Sequence, residues 1–151
     1  MIEKKELLAP CGLYCGVCGI RIAHAGNNQK FKERLSAVYG IKPEDVRCEG
    51  CLAEPEKIFL YCRMCPIKSC TAERGYEGCH QCAEFPCAHI DTFPMPVGKK
   101  VMLRAIPQWR EWGTEKWVEE EEKRYLCPNC GAKLFRGAKS CRECKEAVNV
   151  D

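Results

Sequence analysis

The chain is expected to adopt a small metal-stapled α+β fold: an irregular knuckle domain with few helices and short hairpins, plus a C-terminal ribbon. Three observations lead there. Fifteen of the 151 residues are cysteine, far above ordinary globular usage, and an odd number cannot pair completely as disulfides. The cysteines recur as C-x2-C pairs, a spacing that lets two thiolates face one ion, which makes zinc the first candidate. The N-terminus, MIEKKELLAP, offers only Leu7-Leu8-Ala9 as an apolar stretch, too short for a leader's apolar region or a membrane span. A reducing, cytoplasmic setting keeps such thiols available for metal.

The chain divides into three parts. Residues 1–92 hold eleven cysteines and all three histidines, as a cysteine-rich zinc-binding domain. Residues 93–126 lack cysteine and hold all three tryptophans, as a helical arm packing on it. Residues 127–151 hold the last four cysteines, as a zinc ribbon.

In the first part, Asn28 to Tyr39 reads as a helix. Phe31, Leu35 and Val38 recur at helical spacing, Asn27 or Asn28 serves as N-cap, and Gly40 ends it. Its apolar stripe is expected to pack over the metal-bound loops. The stretch 52–60 has too few apolar residues for a core strand and reads as a connector. In the middle part, the prolines and glycine of Thr92 to Gly98 mark a linker or sharp turn. Val101, Leu103, Ala105 and Ile106 leave the local structure open, and Pro107 is expected to end or kink what precedes it. Thr114 is expected to cap a helix from Glu115 to about Arg124, whose early acids and late bases suit the macrodipole. Trp109, Trp112 and Trp117 fall mostly in helical register and are expected to dock the arm onto the cysteine-rich part.

The clearest constellation is terminal. Cys127-x2-Cys130 and Cys141-x2-Cys144 are two knuckles ten residues apart, the pattern of a zinc ribbon. Gly131 tolerates the left-handed backbone such turns need, and AKLFRGAK between them would form a short hairpin. Four cysteines close the coordination shell, so the role is structural. Upstream, Cys15, Cys18, Cys48 and Cys51 form a second knuckle pair. Cys62-x2-Cys65-x4-Cys70 is echoed by Cys79-x2-Cys82-x4-Cys87. Pairing knuckle with knuckle assigns Cys62, Cys65, Cys79 and Cys82 to one ion. Cys11, Cys70 and Cys87 then remain, either as a third site completed by His24, His80 or His89, or as buried free thiols. His80, inside a knuckle, is the best placed of the three. Two to four zinc ions follow.

Cys11-x3-Cys15-x2-Cys18 also matches the spacing that holds a four-iron cluster in radical S-adenosylmethionine enzymes. The chain is too short for their barrel, but an iron–sulfur cluster remains the alternative cofactor. No phosphate loop, H-E-x-x-H or G-x-S-x-G is present, so nothing marks an enzyme and no catalytic residue is assigned. The charge is +3. Three tetrathiolate sites would add twelve negative and six positive charges, taking it to about −3, and no segment is a basic stripe.

The residues Cys11-Gly12-Leu13-Tyr14-Cys15-Gly16-Val17-Cys18, Cys48-Glu49-Gly50-Cys51, Tyr61 to Cys70 and Gly78 to Cys87 resemble the cysteine-rich family of bacterial and archaeal proteins known as domain of unknown function 3795. The resemblance covers about residues 8–92. It implies a zinc-binding domain and carries no activity with it. The expected function is a non-enzymatic interaction module with a protein partner. The alternatives are a nucleic-acid-binding regulator touching phosphates through Lys133, Arg136, Lys139, Arg142 and Lys145, or a redox protein using Cys11, Cys70 or Cys87. No membrane association is expected.

Overall fold

The structure, a computed structural model, describes residues 6–151. Residues 1–5 of the polar N-terminus lie outside them. Among the described residues six helices form, α1 (Gly19–Ala25), α2 (Gln29–Tyr39), α3 (Pro66–Arg74), α4 (Ala88–Asp91), α5 (Pro96–Trp112) and α6 (Thr114–Arg124), joined by short 3₁₀ turns. Among the described residues there is no sheet, and strand-like pairing is limited to two isolated antiparallel bridges, Leu126↔Lys133 and Ser140↔Ala147. The expected α+β class with short hairpins is therefore wrong, and the chain is mainly helical. The reason is local. The knuckles turn through single 3₁₀ turns, as at Cys15–Val17 and Cys79–Gln81. Those turns return the chain without leaving room for a strand.

α5 is the element whose sequence leaves its structure open, and Pro107 does not end it. Pro107 lies inside a continuous helix of 17 residues. Proline removes one i→i−4 bond, here to the carbonyl of Leu103. Pro107 and Leu103 are both exposed, so water can take that carbonyl. The opposite face, Val101, Met102, Ala105, Ile106 and Trp109, is fully buried and holds the helix together by packing. Pro96 occupies the first turn, where its missing N–H costs nothing.

α2 forms where expected. The Asn28 side chain accepts from the Phe31 N–H at 3.0 Å, and Gly40 closes the helix at φ 67°. Phe31 and Leu35 are buried, but Val38 is 78% exposed, so the stripe is narrower than its spacing suggests. The stretch 52–60 is not a strand, though its Ile58 and Phe59 are buried beside α2. Thr114 does not cap α6 with its side chain. Its hydroxyl instead accepts from Trp109 Nε1 at 2.9 Å and donates to Glu77 Oε1 at 2.6 Å.

Two apolar clusters result. The smaller gathers Ile20, Ala23, Phe31, Leu35, Val46, Cys48, Ile58 and Phe59 around α1 and α2. The larger draws on all parts of the chain: Leu8, Tyr14 and Ile67, then Ile106, Trp109 and Trp117, then Tyr125 and Leu134. Phe135 touches both clusters, with its ring 5.0 Å from that of Phe31. The Trp109 ring stacks on His80 at 3.9 Å on one side and on Trp117 at 4.3 Å on the other. Gly78 makes room for it, since a Cβ there would lie 2.7 Å from the indole.

A polar chain ties α5 and α6 to the C-terminus. Arg104 forks onto Glu121, which is 2% exposed, and its Nη2 reaches Tyr125 Oη at 3.5 Å. Tyr125 donates to Asp151 Oδ1 at 2.7 Å, and Asp151 Oδ2 accepts from the Gly137 N–H at 2.8 Å. Glu121→Ala would leave Arg104 facing a buried gap. A loss of about 3–5 kcal/mol in urea unfolding is expected, the usual cost of breaking one partner of a buried pair.

Candidate metal centre

The terminal knuckles are built alike. Cys127 donates its N–H to the Ala132 carbonyl at 2.8 Å, and its own carbonyl accepts from Gly131 N–H at 2.8 Å. Cys141 donates to the Glu146 carbonyl at 2.9 Å and accepts from Lys145 N–H at 3.0 Å. Gly131 and Lys145 occupy the same place, four residues after the first cysteine, and both are left-handed, at φ 77° and φ 67°. Glycine meets that demand freely and lysine does not. Lys145→Gly is therefore expected to raise stability by about 1 kcal/mol, measured as a higher unfolding midpoint of the metal-loaded protein.

These turns bring four sulfurs together. Cys127 and Cys144 lie 3.7 Å apart, Cys130 and Cys141 3.6 Å, and all four Sγ atoms fall within 4.8 Å of one another. A tetrahedral ion with metal–sulfur bonds of about 2.3 Å sets its sulfurs about 3.8 Å apart. A disulfide would need about 2.05 Å, and all fifteen cysteines are free thiols. The donor set therefore fits a single tetrahedral, thiolate-preferring ion, with Cys127, Cys130, Cys141 and Cys144 as its ligands. In a four-iron cluster each thiolate binds a different iron, which holds the sulfurs too far apart for this arrangement. The Asn129 side chain first, and the Glu146 N–H next, hold the Cys144 thiol down to about 6. Backbone N–H groups, led by that of Cys144, lower Cys141 as well. At Cys130 the Ala132 N–H also lowers the thiol, but desolvation and the neighbouring Cys141, Cys144 and Cys127 thiols outweigh it and carry Cys130 up to about 12. The second knuckle thus favours the thiolate form a metal requires, and Cys130 gives up its proton to the ion.

The other eleven cysteines fall into two neighbourhoods. In the first, the Cys51 N–H donates to Cys15 Sγ at 3.4 Å, joining the Cys15–Cys18 and Cys48–Cys51 knuckles. Burial pushes Cys11 and Cys15 each up to about 12, and partial desolvation pushes the Cys62 thiol the same way although that residue is exposed. Neighbouring thiols push the same way: Cys65 and Cys15 at Cys11, Cys18 and Cys48 at both Cys15 and Cys62. Arg136 lies close enough to Cys18, Cys15 and Cys11 to oppose this. The second neighbourhood is a cavity of about 220 Å³ whose lining includes Cys70, Cys79, Cys82 and Cys87. There, burial pushes Cys79 up to about 12, with the charges of Cys87, Cys82, Cys70 and, least, Cys65 adding to it. Cys79 and Cys82 thus stand with Cys70 and Cys87, whereas Cys62 stands among Cys18, Cys48 and Cys15.

The histidines are placed unequally. His80 is stacked on Trp109, burial lowers its pKa, and its Nδ1 is buried without a hydrogen-bond partner. His89 is exposed at the cavity wall, and His24 sits half-buried on α1. Sequence reading set Arg136 among the possible phosphate contacts of the ribbon and missed its inward role: its N–H donates to the Val17 carbonyl at 2.8 Å and its Nη1 to the Tyr14 carbonyl at 3.2 Å. No spacing rule marks such a residue, because its partners lie more than a hundred positions away.

No helix among the described residues is long and apolar enough to cross a membrane. Neither the curated proteins nor the solved structures contain a match to the chain. Residues 7–92 match the model of a family described as a protein of unknown function, DUF3795, and the chain belongs to that family.

Proposed function

We propose that this chain is a zinc-thiolate protein whose terminal four-cysteine site is a structural zinc ribbon. It serves as a non-enzymatic module that binds a protein partner. The observation that carries the metal reading is the sulfur spacing of 3.6–3.7 Å at Cys127, Cys130, Cys141 and Cys144. With all four positions taken by cysteine, no open position is left for a substrate. A site so sparsely supported by apolar residues gains its folding free energy from the ion.

A protein partner is favoured by the stretch before α3, where Leu52, Tyr61 and Met64 are exposed. The basic residues of the ribbon argue less for nucleic acid than their number suggests. Arg136 is turned inward to the Tyr14 carbonyl, and the Arg142 guanidinium lies 4.3 Å over the Phe31 ring. Free thiols in this number belong in a reducing compartment, and we place the protein in the cytoplasm. A thiol-enzyme role for Cys11 is disfavoured by burial, which keeps it protonated at neutral pH.

The test is elemental analysis of protein purified without oxygen, with a visible spectrum. Colourless protein holding zinc, one equivalent of which is lost on Cys141→Ser, is expected. A terminal quartet free of zinc after loading with excess zinc sinks the proposal. Salt-sensitive binding to mixed DNA or RNA would replace the protein partner with nucleic acid.

A further inference from the structure

We propose that Cys70, Cys79, Cys82 and Cys87 together hold a second thiolate-bound metal centre, separate from the terminal one. The proposal rests on the metal-thiolate reading above but assigns a different set of ligands from the knuckle-with-knuckle pairing.

Three elements converge there. Cys70 projects from α3, Cys79 and Cys82 flank a 3₁₀ turn, and Cys87 immediately precedes α4. All four line one cavity of about 220 Å³, whose remaining wall includes Ile67, Phe85 and Ile90. Helix geometry explains why Cys70 parts from Cys65. The two flank the start of α3 and are five positions apart, a rotation of about 140° about the axis. α3 therefore directs Cys65 toward Cys11 and Cys51, and Cys70 toward the cavity.

The turn is held from outside the site. The Cys79 N–H donates to the Pro10 carbonyl at 2.8 Å, while the Arg110 side chain donates to the His80 and Cys82 carbonyls at 2.8 and 2.9 Å. These bonds fix the backbone of Cys79 and Cys82 beside the cavity that both residues line. Arg74 Nη1 lies 3.7 Å from Cys82 Sγ and 2.9 Å from Glu84 Oε2. A tetrathiolate centre carries net negative charge, and this guanidinium donates to its rim. Among the described residues only the terminal quartet gathers three or more such ligand atoms within 4.8 Å of one another. The cavity as it stands therefore suits the wider sulfur spacing of an iron–sulfur cluster, and one zinc ion would require the four thiolates to draw inward.

The experiment uses the full chain, purified without oxygen, with zinc, iron and acid-labile sulfide measured. Cys70→Ser, Cys87→Ser and the double variant Cys79→Ser/Cys82→Ser should each lose the same single centre. The variant lacking all four should lose no more than any of them. Loss of zinc from colourless protein identifies an ion, and loss of iron, sulfide and visible absorption identifies a cluster. Full metal content in Cys70→Ser or Cys87→Ser overturns the proposal. So does loss of one shared centre by Cys62→Ser and Cys79→Ser. Cys141→Ser reports on the terminal site separately, so either assignment can fail while the other stands. If a variant does not fold, alkylation of the unaltered protein during chelator titration decides the matter. The four cysteines should become labelled together, and labelling of Cys70 while Cys79 stays protected overturns the shared site.

Discussion

Replacing Cys141 by serine is expected to release the terminal metal and melt residues 127–151, while the helices upstream persist. Cys141 is 1% exposed and shares the close-packed set of four sulfurs. The segment buries Leu134 and Ala138, too little apolar surface to hold two knuckles unaided. Structural zinc contributes on the order of 10–16 kcal/mol to small modules, so three remaining ligands leave a large deficit. The checks are metal stoichiometry and hydrogen exchange, with amides of Cys127, Gly131, Cys141 and Lys145 losing protection first. Acid should mimic the variant. Cys144 is held down from 9.0 to about 6, so its contribution is complete above about pH 9 and is lost as pH falls through about 6. Apo protein should therefore take up zinc less readily below that pH.

Trp109→Ala is expected to cost about 3–5 kcal/mol, the range for deleting a fully buried large aromatic side chain. That is a large share of the stability of a domain this size. The indole sits between His80 and Trp117, and its Nε1–H is satisfied by Thr114. Alanine would empty a space bounded by α5, α6 and the Cys79–Gln81 turn at once. A urea midpoint lowered in proportion is expected, with Trp109→Phe recovering much of the loss. A change under about 1 kcal/mol would mean that the stack contributes little.

Much of the local structure was legible because its signals are local. Asn28 and Gly40 bracket α2 by chemistry acting within one turn of helix. Gly131 announced its own left-handed turn. The spacing Cys127-x2-Cys130 with Cys141-x2-Cys144 was enough to expect four sulfurs in one place, and they are. What failed depended on surroundings. Pro107 was expected to end or kink its helix and does not end it, because proline's cost depends on whether the orphaned carbonyl meets water, and sequence does not show that. Val38 kept helical spacing, but only Phe31 and Leu35 of the stripe meet the core. Thr114 had the residue type of a cap, yet Trp109 and Glu77, both distant from its backbone need, claim its hydroxyl. Hairpins were inferred from the ribbon pattern, whereas knuckles this short leave one bridge each. The partition of eleven cysteines was unreadable because spacing alone does not show which way Cys65 and Cys70, at the start of α3, are turned.

The fit of Gly78 against Trp109 reaches beyond this chain. Position 78 lies inside the stretch that matches the family and position 109 outside it, yet a methyl group at one collides with the indole of the other at 2.7 Å. Neither can be exchanged alone without a clash or a void. Among relatives that carry both regions, the two sites are bound to drift as a pair: glycine where the indole is kept, a larger residue where it has been replaced by something smaller. The family-matching block and its neighbour are thus expected to share a history of substitution, and covariation between these two columns would reveal which lineages dock the helical arm in this way.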